Sequence, residues 1–369
     1  MGPSSTQIIG DLGADVIAVE PLEGTNSRRM GPGPHPELSG IALNLLRNKR
    51  SVAIDLKRPE GRDALLRIAA TCDVTITNVR SASLRRLRLT YDDVRAVRPD
   101  IVYCQAVGYR SGSEHADDAA FDDVIQAASG VADAQRRSFG RPTFAATVMA
   151  DKVCAMAIVN SVLAALLHRS RTGAGQMIEV PMRDVMAAFM LLEHGAGAIA
   201  VDGSPGAGYG RVLAPSRRPF RTADGWVAIL PYSSADFDRL YAEGGRVDLV
   251  GDERTRGMNH VDHADFLYTQ LEDIVATRTT AEWLAFCRTH DIAASPIVTL
   301  DELVAEMPVA EHAVAGAYHV VSSGITFSGS ALAEPTDAPL IGQHTAAVLT
   351  EAGLSDGEIA DLVAGGVVR

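Results

Sequence analysis

Cysteine, aromatic residues and long apolar runs are all scarce in this chain of 369 residues, and each scarcity excludes something. The four cysteines, Cys72, Cys104, Cys154 and Cys287, are dispersed, without the paired spacing of a metal knuckle or a disulfide framework. They read as reduced thiols of a cytoplasmic protein, and no metal site is expected. No signal-peptide pattern stands out, nor any uninterrupted apolar run of about 18 residues, so neither secretion nor a membrane span is expected. Aromatics make up 5% of the chain while small and aliphatic side chains abound, a composition suited to helices packed on a sheet. A Gly-x-Gly-x-x-Gly turn after an early strand is also missing, which removes the main support for a nicotinamide dehydrogenase.

The net charge is −12, which argues against a nucleic-acid binder, but its distribution is uneven. Residues 1–98 hold 15 Lys/Arg against 11 Asp/Glu, so the remainder carries −16. A phosphate-bearing ligand would find its counter-charges in the first quarter of the chain. A solvated, arginine-rich helix surface explains the same excess equally simply.

Strand and helix signals alternate through the first half. Helices are predicted at 4–12, 57–70, 91–98 and 121–128, and strands at 15–20, 51–55, 74–77 and 101–107. Such alternation predicts an α/β fold with a doubly wound, Rossmann-like parallel sheet in the large domain. Residues 130–141 read as a loop, 185–199 as a helix, and 203–218, rich in Gly and Pro, as a linker. A smaller α/β domain is predicted over 219–310, with helices at 234–243, 262–275 and 280–290 and a strand at 297–300. Residues 311–369 are expected to return to the large domain of residues 1–202, with a strand at 318–322 and helices at 345–352 and 355–364. The helix-first start suggests that a strand and loop of roughly 20–30 residues would precede it in a complete sheet.

The stretch from Ala146 to Asp184 organises the rest. Asp151 stands where a helix should begin, followed by Val153, Met156, Ile158, Val159, Val162, Leu163, Leu166 and Leu167 at helical spacing. His168, Arg169 and Arg171 close that helix, Thr172-Gly-Ala-Gly175 breaks it, and 176–182 reads as a strand. Acid at the start and cations at the end match the helix dipole. Capping alone explains an aspartate in this place. A carboxylate held there among small and apolar neighbours could equally attack an acyl carbon. Lys152 is a candidate charge partner.

These residues carry a resemblance. The Asp151 segment with Arg169-Ser-Arg-Thr-Gly-Ala-Gly-Gln176 resembles the class III CoA-transferase family, which includes formyl-CoA transferase, carnitine CoA-transferase and the related 2-methylacyl-CoA racemases. So do Asp11-Leu-Gly-Ala-Asp-Val-Ile-Ala-Val-Glu-Pro21, Asn48-Lys-Arg-Ser-Val-Ala-Ile-Asp-Leu-Lys57, Asp73-Val-Thr-Ile-Thr-Asn-Val-Arg80, Phe121-Asp-Asp-Val-Ile-Gln-Ala-Ala-Ser-Gly130, Thr222-Ala-Asp-Gly225 and Ile341-Gly-Gln-His-Thr345. Several segments in the family's order make the signal specific across nearly the whole chain.

The resemblance implies that Asp151 is the nucleophile of a CoA-transferase. It would pass through a mixed anhydride and an aspartyl-CoA thioester, with an acyl-CoA and a free carboxylic acid as substrates and no bound cofactor. It implies CoA contacts at Arg28, Leu56, Lys57, Asn78, Arg80, Arg86, Gln126 and Arg137. Gly206, Gly208 and Gly210 fall where the family has a glycine-rich cover, though a plain linker fits them as well. It also implies an interlocked-ring homodimer. The family's Asn-Phe-Arg-Pro-Gly turn is here Asn78-Val-Arg-Ser-Ala82, which loses the aromatic and the Pro-Gly. Two alternatives remain: a racemase-like enzyme, and a non-catalytic acyl-CoA-binding subunit. The first lacks its histidine, because the family's Gly-His-Asp is here Ala-Phe121-Asp122, and no Glu stands near Pro231. His115 lies in the preceding polar loop and reads as solvated.

Overall fold

The structure, a computed structural model, describes residues 1–202, 206–257 and 259–369. The chain forms two compact units, one of residues 1–128, 147–186 and 307–369 and the other of 129–146 and 187–306. In chain order the first unit begins with α1 (Gly2–Asp11), β1 (Val16–Glu20), α2 (Gly40–Leu45), β2 (Lys49–Ala53), α3 (Pro59–Thr71), β3 (Val74–Thr77), α4 (Ser81–Leu87), α5 (Tyr91–Val97), β4 (Val102–Val107) and α6 (Asp122–Ala128). Next, α7 (Val131–Phe139) belongs to the second unit, while α8 (Met149–Thr172) and β5 (Gln176–Pro181) belong to the first, and α9 (Met182–His194) leaves it after Met186. The second unit continues through α10 (Gly210–Leu213), β6 (Phe220–Arg221), β7 (Trp226–Leu230), α11 (Ser234–Glu243), α12 (Asn259–Asp262), α13 (Ala264–Val275), α14 (Thr280–Thr289), β8 (Ala293–Pro296) and α15 (Leu300–Ala305). The first unit closes with β9 (Val309–His312), β10 (Gly316–His319), α16 (Thr345–Glu351) and α17 (Asp356–Ala364).

In the first unit the parallel strands fall into two sheets, β1-β2 and β3-β4-β5. Every residue of the central strand β4 is buried, as expected for a parallel strand covered on both faces. β1 and β3 are mostly half-buried instead. A cavity of about 510 Å³ is lined by Val16 and Ile17 of β1 and by Val74 and Ile76 of β3. Helix α8 covers the three-stranded sheet: Ile158 and Val162 pack with Cys104 and Ala106 of β4 and Val180 of β5. Each such fully buried aliphatic side chain contributes roughly 1.5–3 kcal/mol. Gly173, at φ 74°, ends α8 in the left-handed region, and the chain turns at once into β5.

The second unit has its own core. The antiparallel sheet β6-β7-β8 packs on Trp283, Tyr241 and Leu271, and the Trp283 indole N–H donates to the Val275 carbonyl at 2.8 Å.

Several expectations need correction. Residues 130–141 are not a loop, for 131–139 form α7 between Gly130 and Gly140, both at positive φ. This helix is polar on average and held by the ion pairs of Asp133 with Arg136 and Arg137, and its flanking glycines read as loop. Residues 129–146 and 187–202, expected in the large domain, pack with the second unit. The predicted 203–218 linker contains α10, and its residues 203–205 lie outside the described residues. The strand predicted at 297–300 lies earlier, at β8, where it pairs with β7. Finally, α8 is long and apolar enough to cross a membrane by length and composition, with a mean hydropathy of 1.7 over 18 residues. Its packing on β4 and β5 makes it a core helix of this unit.

Candidate active site

Because α8 runs into β5 through a tight turn, it lies antiparallel to the strands it covers. Its N-terminus therefore stands at their carboxyl ends, where open α/β sheets bind ligands. The buried Cys154 thiol, one turn into α8, reaches the carbonyl of Met182 just past the end of β5. Asn78 and Arg80, immediately after β3, are exposed at the same edge of the sheet.

Asp151 is the third residue of α8, and about a third of its side chain is exposed. Val148 occupies the N-cap and has no side-chain oxygen to cap with. The missing cap comes from elsewhere in the chain. Asp122 of α6 accepts the Asp151 backbone N–H on Oδ1 at 2.9 Å, the bond an N-cap side chain would ordinarily supply. Its other oxygen, Oδ2, is held at 2.5 Å by the Gln126 amide nitrogen, which also reaches the Thr147 carbonyl at 3.4 Å. Asp122 and Gln126 are both buried. The Asp151 carboxylate is thus relieved of capping its own helix. Its Oδ1 lies 3.2 Å from the backbone nitrogen of Met1, at the start of α1, which packs along α8.

Two nearby groups are otherwise occupied. The Lys152 ammonium, expected as a charge partner of Asp151, donates instead to Thr147 Oγ1 at 2.7 Å. Burial pushes the Cys154 thiol up to about 12, so it stays protonated and does not compete as a nucleophile.

The predicted CoA contacts separate into groups. Arg28 has no phosphate-facing side. It is 1% exposed, its guanidinium grips Glu20 at 2.6 and 2.7 Å, and Nη1 donates to the Pro339 carbonyl at 2.8 Å. The fork that suits a phosphate suits a buried carboxylate equally, and the carboxylate eight residues earlier has taken it. Past the carboxyl end of β2, Leu56 packs against the core and Lys57 is exposed. Asn78, Arg80 and Arg86 are exposed, with Arg86 donating to Ser83 Oγ at 2.9 Å. Gln126 is a buried partner of Asp122 rather than an open contact.

Arg137 and the glycines belong to the second unit. The Arg137 guanidinium spans Asp133 Oδ2 and the Ala207 carbonyl, both at 2.8 Å. Gly206 and Gly208 adopt φ of +99° and +121°, and Gly210 opens α10. A Cβ at Gly208 would lie 3.0 Å from the Arg137 guanidinium, so the arginine would have to give way slightly to any larger residue there. His115, paired with Asp118 at 2.9 Å, is exposed.

Sequence reasoning missed Asp122 and Gln105. The buried Gln105 of β4 donates to Ser81 Oγ at 2.9 Å and thereby holds the turn that carries Asn78 and Arg80. A polar residue inside an otherwise apolar strand was the available signal. For Asp122 the signal was an omission, the lack of Ser, Thr, Asp or Asn at position 148.

Comparison with known proteins adds an independent line. The pattern of CoA-transferase family III matches residues 1–345. The chain is 29% identical to the succinate–glutarate CoA-transferase of Agrobacterium fabrum over 95% of this chain and 92% of that protein. It is 28% identical to the succinyl-CoA:glutarate CoA-transferase of Mus musculus over 100% and 87% of the two chains. Among solved structures, a CAIB/BAIF family protein from Brucella suis is similar with a TM-score of 0.78 at 26% identity, covering 95% of each chain.

Proposed function

The chain belongs to CoA-transferase family III, and we propose that it moves coenzyme A from an acyl-CoA donor to a free carboxylic acid through a covalent intermediate on Asp151. One observation carries this assignment: Asp151 sits at a helix N-terminus whose capping is done by another carboxylate.

An Asp151 oxygen attacks the thioester carbonyl, the C–S bond breaks, and CoA leaves as a thiolate with a mixed anhydride left on the enzyme. The thiolate then attacks the Asp151 carbonyl carbon, and the donor acid departs as a carboxylate. The acceptor carboxylate repeats both steps in reverse. Each bond formed replaces one of similar activation, and no proton changes hands, so no general base is required. That suits a chain whose loop histidine, His115, is exposed and bound to Asp118. It disfavours α-proton exchange, which needs a base on each face. The dipole at the start of α8 favours the oxyanion that develops beside Asp151. Asn78, Arg80 and Arg86 are the exposed polar groups of the first unit that would meet the coenzyme, with Lys57.

Three further readings belong to the same proposal. The strand pairs β1-β2 and β3-β4-β5 are parts of one doubly wound parallel layer, since all five strands are parallel within their sheets. The protein works in the cytoplasm. It is an interlocked homodimer, in which a second copy covers the apolar face of α8 exposed at Met156, Leu163 and Leu167.

The test is mass analysis during turnover. Hydroxylamine added with acyl-CoA should place a hydroxamate on the peptide containing Asp151, and Asp151→Asn should abolish both label and exchange. The absence of any label in an enzyme that exchanges CoA would overturn the mechanism. A panel of acyl-CoAs with short mono- and dicarboxylic acids, beginning with succinate and glutarate, identifies the substrates.

A further inference from the structure

The Asn48-Lys-Arg50 segment contains a buried cation that the transfer chemistry leaves unused. Lys49 opens β2 and is 4% exposed. Its ammonium reaches away from the sheet into the first turn of α1, donating to the Pro3 carbonyl at 2.8 Å and to Thr6 Oγ1 at 2.9 Å. Among the described residues no carboxylate stands within ion-pair distance of it. Asp11 is taken by Arg47 at 2.6 Å, and Glu20 by Arg28 and Ser51. Burial lowers the ammonium to about 7, so the cation is costly here and the two α1 oxygens are its direct compensation.

The place where it acts is informative. The turn it grips carries the Met1 nitrogen, 3.2 Å from Asp151 Oδ1, and Gly2, whose Cα faces the Asn78 side chain closely enough that a Cβ would lie 3.7 Å from it. The same turn thus touches the nucleophile and a coenzyme contact, and one buried side chain ties it to the sheet. An apolar side chain of equal length would fill this space without the desolvation cost.

We propose that Lys49 is a positioning residue for CoA transfer, fixing the first turn of α1 against Asp151 and Asn78 through Pro3 and Thr6. This rests on the assignment of Asp151 above. Loss of the clamp lets the turn shift, and shifts of about 1 Å at a reacting group cost up to about a hundredfold in rate.

The experiment measures CoA exchange in the full chain for Lys49→Met, Thr6→Val, their combination, and Asp151→Asn in parallel, with thermal melts for each. For Lys49→Met we expect kcat about tenfold lower or worse and KM for acyl-CoA within about threefold. Thr6→Val should show a smaller loss, and the double variant should be no worse than Lys49→Met, because both sever one clamp. A folded Lys49→Met with kcat within about twofold of the parent overturns the proposal, as does a loss of rate that follows only the folded fraction. If Lys49→Met does not fold, Thr6→Val decides, and an unchanged kcat there overturns it. Retention of exchange by Asp151→Asn would instead sink the nucleophile assignment, whatever Lys49 does.

Discussion

Among the described residues, five helices place at their third residue an acid that closes a capping box, and α8 places there an acid that closes none. In α5, α11, α14, α15 and α17 the sequence places Thr or Ser at the N-cap and Asp or Glu three residues on, and the two bind each other reciprocally. There Asp93, Asp236, Glu282, Glu302 and Glu358 are spent on their own helix starts. Bonds from the Thr279, Thr299 and Ser355 backbone and hydroxyl hold Glu282, Glu302 and Glu358 below the usual carboxylate range. In α8 the same third position holds Asp151, but Val148 precedes it and Asp122 caps the helix from α6. The same residue class at the same helical position is bound to its own N-cap five times and left free of it in α8, where the N-cap is a valine. In α7 and α9 the acids at that position, Asp133 and Asp184, are held by arginines instead.

The comparison can be broken most severely at Asp151 itself. Asp151→Asn should lower CoA exchange on the order of 1,000-fold or more, while leaving stability within about 0.5 kcal/mol, since capping resides elsewhere. Paired activity assays and melts check both halves. Asp122→Ala should do the reverse in kind: it removes a buried cap, costs about 1–2 kcal/mol in a denaturant melt, and lowers exchange about tenfold as the start of α8 loosens. Asp122→Asn, which keeps an acceptor, should recover most of that stability. A subtler change sharpens the contrast. Val148→Ser installs a capping box at α8, recruiting Asp151 back to structural duty. It should stabilise the protein by about 0.5–1 kcal/mol and lower kcat about three- to tenfold. Wild-type kcat in that variant would refute the role of the omitted cap. The smallest effect belongs to Thr279→Ala at α14. Turnover should be unchanged and Tm slightly lower. Because the folded pKa of Glu282 is depressed, its stabilisation exists above the unfolded value and fades as pH falls through the folded one. The Tm gap between parent and variant should therefore be wider at neutral pH than in acid.

The sequence displayed α8 plainly, since its apolar spacing, basic end and glycine break all point one way. The alternation of β1 to β4 with helices was equally readable, because strand hydrophobicity and turn residues agree there. Helix α7 escaped because it is short, polar on average and bounded by Gly130 and Gly140, which read as loop residues. Arg28 was misread for a different reason: residue type reports what a guanidinium can bind, whereas burial against Glu20 decides what it does bind. Asp122 lies 29 residues from the bond it makes, a distance at which local pattern is silent. Gln105 was visible as a polar residue in an apolar strand, whereas Lys49 opens a strand that begins Lys-Arg-Ser and so looked like an ordinary surface cation; their targets, Ser81 and the start of α1, emerge only once strands and helices are packed.

Delegating the cap of α8 to α6 has a consequence for how this scaffold can change over time. Foundation and tool are separate parts, so the reactive group can be exchanged without the beam beneath it giving way. A cysteine, serine or asparagine at 151 should still be folded by the same Asp122–Gln126 bracket, and descendants of this chain could try new reactions at that spot while keeping the old architecture.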